Sequence, residues 1–337
     1  MKLTIDTLNA PMVELPSFDE DDAKKFSEYS KGWSLSYVYN FSEIRDVYIA
    51  LKQSEFNTLN SFTEYCLSIS LPYVRTPWNK RRILEHLNAL KNFLLIDSDY
   101  RIIKDVFINE RIGDPISETD LLIFKNIYFN YFRFKEIFSW FIDPVITNRF
   151  KFIDNLTESN IVQNSKAVFA FSNKSRFTDS FFYELKETPN IYFINNKTGE
   201  DLMRFWDVFI KWGLVLGVLE KFSLRNLDIK TLSNTNIACV YVVKGISRLN
   251  LLQYVNDNYS NNYIYLPDLV LDLAITYRSR IEDIHTYIIE QYKINKEYFS
   301  FERTSEIFVK VNEIKEGEKI FFPKYNDSYI SHLIVRR

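Results

Sequence analysis

Glycine and proline are scarce in this chain, at 7 and 9 of 337 residues. Glycine-rich phosphate loops and doubly wound nucleotide folds use glycine for tight turns and close backbone approach, so both are disfavoured. The same scarcity leaves few long irregular loops, and helices are expected to dominate. Cysteine is also rare. Cys66 and Cys239 lie far apart in apolar surroundings and read as buried, reduced thiols. The three histidines, His86, His285 and His332, are scattered, and no cysteine pair has ligand spacing. Zinc-type sites are therefore disfavoured, and no metal or other cofactor is expected.

An excess of either charge is missing too. Lys plus Arg number 42 and Asp plus Glu 44, for a net charge of −2. A dedicated nucleic-acid binder usually carries a basic excess, so any DNA contact must come from a local patch. The apolar run from Trp212 to Leu219 is far shorter than the roughly 20 residues of a membrane span. The opening stretch MKLTIDTLNAPMVELPSFDEDD lacks a basic-then-apolar signal pattern. A cytoplasmic protein without a membrane partner is expected.

What the chain has in surplus is aromatic: 29 Phe and 22 Tyr, with aromatics at 17%. Such a surplus either fills an aromatic core or marks a protein interface, and composition leaves both readings open. The length suggests two or three domains.

Apolar spacings of three and four place a first helix from Phe41, with Ile44, Val47, Tyr48 and Leu51 on one face and Ser42 at the N-cap. A second helix fits Leu59 to Leu71, and Pro72 closes it. Thr76 caps a third, with Pro77 at its first position and Ile83, Leu84, Leu87, Leu90 and Leu94 as its buried stripe. Leu94-Leu95-Ile96 exits into a strand, Asp97-Ser98-Asp99 turns, and Tyr100, Ile102 and Val106 alternate beyond.

Gly113-Asp114-Pro115 is a break. Ser117 and Asp120 open an aromatic helical region beyond it. EDLMRFWDVFIKWGLVLGVLEKF reads as one long buried helix, and NIACVYVV as a strand. In the last third, SRLNLLQYVNDNY, the run from Leu266-Pro267-Asp268, and IEDIHTYIIEQYKI after Ser279 read as helices. A hairpin centred on Gly317 and the strand-like run SYISHLIVRR follow.

Three helices and a hairpin in this order resemble the winged-helix superfamily over residues 38–112. KRRILEHLNALKNFLLI carries the resemblance, because it ends a third helix and exits into the hairpin. Residues 246–337 resemble it more loosely, in the order of elements. The expected fold is mainly α (α+β), with winged-helix-like modules at 38–112 and 246–337. An N-terminal arm (1–37) precedes them and an aromatic-rich, helical or mixed middle domain (113–245) separates them. The resemblance implies double-stranded DNA as a partner. Accessory subunits of bacterial multi-gene systems, anti-phage defence among them, look similar.

The residues expected to touch DNA are Arg75, Asn79, Lys80, Arg81, Arg82 and His86 around the start of the third helix, with Arg101 and Lys104 on the hairpin. A helix N-terminus carrying Arg and Asn suits phosphates and base edges in a major groove. Basic residues near the C-terminus, Arg303 and Lys324 among them, are interleaved with acids and read as a mixed-sign surface. Residues 179–186 carry one catalytic alternative. Asp179 with Glu184-Leu185-Lys186 resembles the Asp…Glu-x-Lys set of restriction-type nucleases, in which carboxylates hold a divalent metal. The gap is short, and the segment is as plausible as helix. The expected function is a non-enzymatic DNA-binding or adaptor subunit of a larger assembly. A protein-interaction scaffold, working with partner subunits or as a homo-oligomer, is the alternative.

Overall fold

The computed structural model describes Leu35 and residues 37–54, 58–69, 71, 79–107, 111–131, 134, 168–172, 202–224, 236–246, 249–303 and 319–336; the side chains of 79, 168–172, 202–206, 223–224 and 236–238 fall outside that set. The fold is mixed α+β: eight helices and three small antiparallel sheets among the described residues. These residues fall into two compact units. The first draws on Met1–Asn164 and Phe182–Leu216, the second on Ser165–Phe181 and Gly217–Arg337.

In the first unit, α1 (Phe41–Gln53), α2 (Leu59–Ser68) and α3 (Asn79–Asn92) pack on one another. The expected stripe Ile44, Val47, Tyr48 and Leu51 is buried, but so are Glu43, Arg45 and Asp46, because α1 is covered on almost every side. Asn40, not Ser42, stands at its N-cap. α2 starts one residue after Thr58, whose hydroxyl accepts from the Ser61 N–H in a capping box. The expected start of α3 at Thr76 and Pro77 lies outside the described residues.

Beyond α3 the hairpin is minimal. Ile96 and Ile102 form one antiparallel bridge, and the Ile103 N–H donates to the Leu95 carbonyl at 2.9 Å. Asp97 closes the turn, its Oδ1 accepting from the N–H groups of Asp99 and Arg101. This is the self-bonding that makes Asp a turn residue.

α4 (Glu118–Asn130) begins at Ser117, which forms a capping box with Asp120. α5 (Leu202–Val215) inserts Trp212 into a ring of Phe41, Phe93, Phe124 and Phe134, with centroids 4.8 to 5.7 Å away. The indole N–H donates to the Val38 carbonyl at 2.9 Å. Tyr128 stacks on Phe209 and donates to its carbonyl at 3.1 Å. These aromatics are core. The helix expected to run from the Glu200 region to Phe222 instead ends at Val215. Gly217 follows at φ 65°, a left-handed conformation that stops a helix.

The second unit opens with a sheet of strand order β1-β3-β2, from β1 (Val168–Ser172), β2 (Leu219–Leu224) and β3 (Asn236–Val242). After it come α6 (Leu251–Asn258), β4 (Tyr263–Tyr265), α7 (Leu266–Tyr277), α8 (Ile281–Ile294) and β5 (Phe299–Glu302). A two-stranded hairpin, β6 (Lys324–Tyr325) with β7 (Ser328–Tyr329), precedes β8 (His332–Val335). β4, β8 and β5 form a sheet with β8 in the middle. One core joins Phe222, Cys239 and Tyr241 to the helices and to Leu333 and Val335. Both cysteines are free and buried, and burial pushes each thiol up to about 12. β4 and β6 were not expected, and the run expected to be strand-like from Ser328 is split into β7 and β8. The hairpin at Gly317 lies outside the described residues, as do residues 1–34.

The junction between α7 and α8 is held from the first sheet. The Tyr241 hydroxyl donates to the Ser279 carbonyl at 2.6 Å, and the Lys244 N–H donates to the Arg278 carbonyl at 2.6 Å. Glu220 Oε2 accepts from the Ile281 N–H at 3.1 Å, so a strand residue caps α8, whose own N-cap Arg280 makes no side-chain cap bond. Glu220→Ala should lower stability by about 1 kcal/mol, read as a drop in thermal midpoint; no drop would mean that water caps the helix equally well.

In the first unit Arg45 is fully buried. It donates to Asp46 Oδ1 at 2.9 Å, to Asp120 Oδ2 at 3.3 Å and to the Asp114 and Pro115 carbonyls. Removing one member of a buried ion network leaves the others uncompensated. Arg45→Met should cost about 3–5 kcal/mol in urea unfolding, and a loss under 1 kcal/mol would show that Asp46 and Asp120 find other partners.

Candidate nucleic-acid interface

α3 has no acidic residue in its first turn, and it opens Asn79-Lys80-Arg81-Arg82. Helix N-terminal N–H groups already favour anions. The structure divides these basic residues between two tasks. Lys80 and Arg81 are exposed. Lys80 donates to the Asn60 side-chain oxygen on α2, and the Arg81 guanidinium lies 5.6 Å from the Tyr37 ring centroid. Neither forms an ion pair with a described carboxylate.

Arg82 and His86 turn inward. Arg82 Nε donates to Glu43 Oε2 at 3.2 Å, and its Nη2 contacts the same carboxylate. His86 is 1% exposed. Its Nδ1 lies 2.7 Å from the Arg82 carbonyl and its Nε2 lies 3.3 Å from Glu43 Oε2. The Asn40 amide donates to Glu43 Oε1 at 2.7 Å. This cluster fastens α3 to α1. The expectation that His86 touches DNA is corrected by its burial, and the Arg82 head is occupied by Glu43. Sequence spacing put both on the outer edge of α3 because their partner lies on another helix, far away in sequence.

Arg101 is exposed on the turn beyond α3. Lys104 is half-buried, and its carbonyl accepts from the Tyr48 hydroxyl at 2.6 Å, which straps this segment to α1. Lys52 and Asp105 add an ion pair at 2.7 Å. Arg75 and the Asn79 side chain lie outside the described residues, and so do Asp179, Glu184 and Lys186. The described part of the expected surface is therefore Lys80, Arg81 and Arg101, with Lys104 partly covered. Glu43 and Arg45 escaped the sequence reading. Their one trace there is the charged run Glu43-Ile44-Arg45-Asp46 inside an otherwise apolar helix.

No family model matches the chain, and no curated protein or solved structure does. No helix among the described residues is long and apolar enough to cross a membrane.

Burial by itself would raise the Glu43 pKa, but the close His86 ring and hydrogen bonds from Arg82 and Asn40 outweigh it and hold the carboxyl at about 2, against an ordinary 4.5. A depressed carboxyl stabilises the fold fully above its unfolded pKa, and the effect is lost as pH falls through the folded one. The window here runs from pH 4.5 down to 2. Glu43→Gln should flatten the dependence of unfolding free energy on pH across it. An unchanged slope would mean that Glu43 is not paired in solution.

Proposed function

We propose that the chain is a non-enzymatic binding subunit built on winged-helix-like modules, which touches duplex DNA through the start of α3 and otherwise serves as an adaptor in a larger assembly. The observation that carries the modular part is the second unit's layout. After the β1-β3-β2 sheet, its order is helix, strand, two helices, strand, hairpin, strand, with the last strand between the other two. A winged helix backs its helices with a three-stranded sheet in a similar order, and this likeness supports the reading. Support in the first unit is thinner, since its hairpin is one bridge.

Lys80, Arg81 and Arg101 support the DNA part. They are exposed cations at the start of α3 and on the turn beyond its other end, suited to phosphates rather than to base edges.

A protein-interaction scaffold without DNA contact is the second reading. It is favoured by α8, the third helix of the second unit's layout, which exposes Glu282, Asp283 and Glu290. Acids at a helix start suit the helix dipole and oppose phosphate.

Binding of the full chain to a short duplex, followed across a salt series, separates the two. The DNA reading expects affinity to fall with salt, and Lys80→Glu/Arg81→Glu to lower the salt slope by about two. Arg82 is left intact in that variant, because its loss would loosen α1 from α3. No binding at low salt would leave the scaffold reading.

A further inference from the structure

We propose that the second unit binds a second copy of this chain, its anionic α6–α7 face meeting the cationic β6–β7 hairpin of the other copy. The contact goes beyond the reading above and holds whether or not α3 touches DNA.

The α6–α7 face is acidic and tyrosine-lined. From Leu249 to Tyr277 the chain has no Lys, Arg or His, yet it carries Asp257, Asp268 and Asp272. All three are exposed, and among the described residues none forms an ion pair. Asp268 and Asp272 stand four residues apart on α7, so they share a face. The Tyr259 hydroxyl donates to Asp272 Oδ2, and the Tyr254 hydroxyl bonds to Thr276, one turn beyond Asp272. α6 therefore lies along that face, with Asp257 one turn beyond Tyr254. Burial and the neighbouring Asp272 both raise the Asp268 carboxyl above its ordinary range. Like charges thus face each other there uncompensated.

The hairpin carries the opposite sign. Lys293, Arg303 and Lys324 come from the last turn of α8, the residue after β5 and the first residue of β6, and all are exposed. Arg303 Nη2 donates to the Tyr325 carbonyl at 3.2 Å. The Lys293 ammonium lies 6.0 Å from the Tyr325 ring centroid, and the Lys324 ammonium lies 4.6 Å from that of Tyr329. Among the described residues none of the three forms an ion pair. Within one copy, then, neither surface neutralises the other. A net charge of −2 leaves little overall repulsion to keep copies apart.

The hairpin is braced for such a contact. Asn326 and Asp327 have φ of 47° and 57°, the left-handed pair of a type I′ turn, and Tyr325 packs on Tyr292 at 5.6 Å. Side chains held in place lose little freedom on binding. On the other surface the half-buried rings of Tyr254 and Tyr277, 5.9 Å apart, border the acids. Ring faces beside carboxylates suit the stems and heads of Lys and Arg. A foreign basic or acidic partner fits one of these surfaces; a second copy fits both.

Sedimentation of the full chain across concentration and salt tests the contact. The mass should rise above that of the monomer at low salt and fall back at high salt, because exposed charges act over about 30 Å at 0.01 M and about 3 Å at 1 M. Asp257→Lys/Asp272→Lys and Lys293→Glu/Lys324→Glu should each weaken association about tenfold or more. Asp268 is left because it stands in the first turn of α7, and Arg303 because it bonds the Tyr325 carbonyl. Mixed together, the two variants should associate again, since the reversed hairpin of one meets the reversed face of the other. A merely structural role for these residues would not give that rescue. Asp272→Asn and Lys324→Gln should each weaken association by about threefold, and they carry the test if a reversed charge unfolds the chain.

A monomer at every concentration and salt overturns the proposal. So does association that salt leaves unchanged, or that two folded variants fail to restore on mixing. If the chain stays monomeric and Asp257 and Asp272 instead retain it on polylysine, the face takes a foreign basic partner and the proposal fails. None of these results bears on α3, whose role rests on duplex binding by Lys80 and Arg81.

Discussion

The first unit depends on a guanidinium with no access to water. Arg45 sits at the middle of α1 and spends its donors on Asp46, Asp120 and two carbonyls of the Asp114–Pro115 segment. An isolated buried charge is expensive, so this one is tolerable only while every partner is in place. The consequence is positional. Asp46 also accepts from the Gly113 N–H at 3.2 Å, and Asp120 also caps α4. The break after the hairpin and the start of α4 are thereby fixed to α1. The aromatic packing of α4 and α5 around Trp212 follows from that placement.

The second unit satisfies buried backbone groups instead. The turn between α7 and α8 carries backbone groups that neither helix satisfies. Tyr241 and Glu220 from the sheet, and Lys244 just beyond it, satisfy them at 2.6 to 3.1 Å. Burial pushes the Glu220 carboxyl above its ordinary range, and its bonds to the Ile281 and Lys221 N–H groups offset part of that. The angle between α7 and α8 is therefore set by a sheet that precedes them in the chain.

The basic start of α3 is both fastener and surface. Successive residues on a helix point about 100° apart, so Arg81 and Arg82 cannot share an environment. One faces solvent beside Tyr37; the other reaches Glu43. A positive stretch counted along the sequence overstates the charge that reaches the surface. On the hairpin of the second unit the opposite happens. Arg303 and Lys324 looked diluted by neighbouring acids along the chain, yet in space they join Lys293 at one pair of tyrosines.

By itself the sequence determined the helices. The period of Ile44, Val47, Tyr48 and Leu51, the Ser117–Asp120 capping box and the Leu266-Pro267-Asp268 start are local signals, and local hydrogen bonding and one-sided burial make them legible. The turn at Asp97 was legible for the same reason. The tertiary structure alone decided the rest. Gly217 stopped a helix that periodicity would have continued, and β4, three residues long with Ile264 buried between two exposed tyrosines, had too short a pattern to read. Above all, it decided what each charge does. Whether an arginine is a fastener or a contact depends on what lies across from it, and for Arg82 that is a carboxylate on another helix. No spacing rule along one chain segment contains that partner.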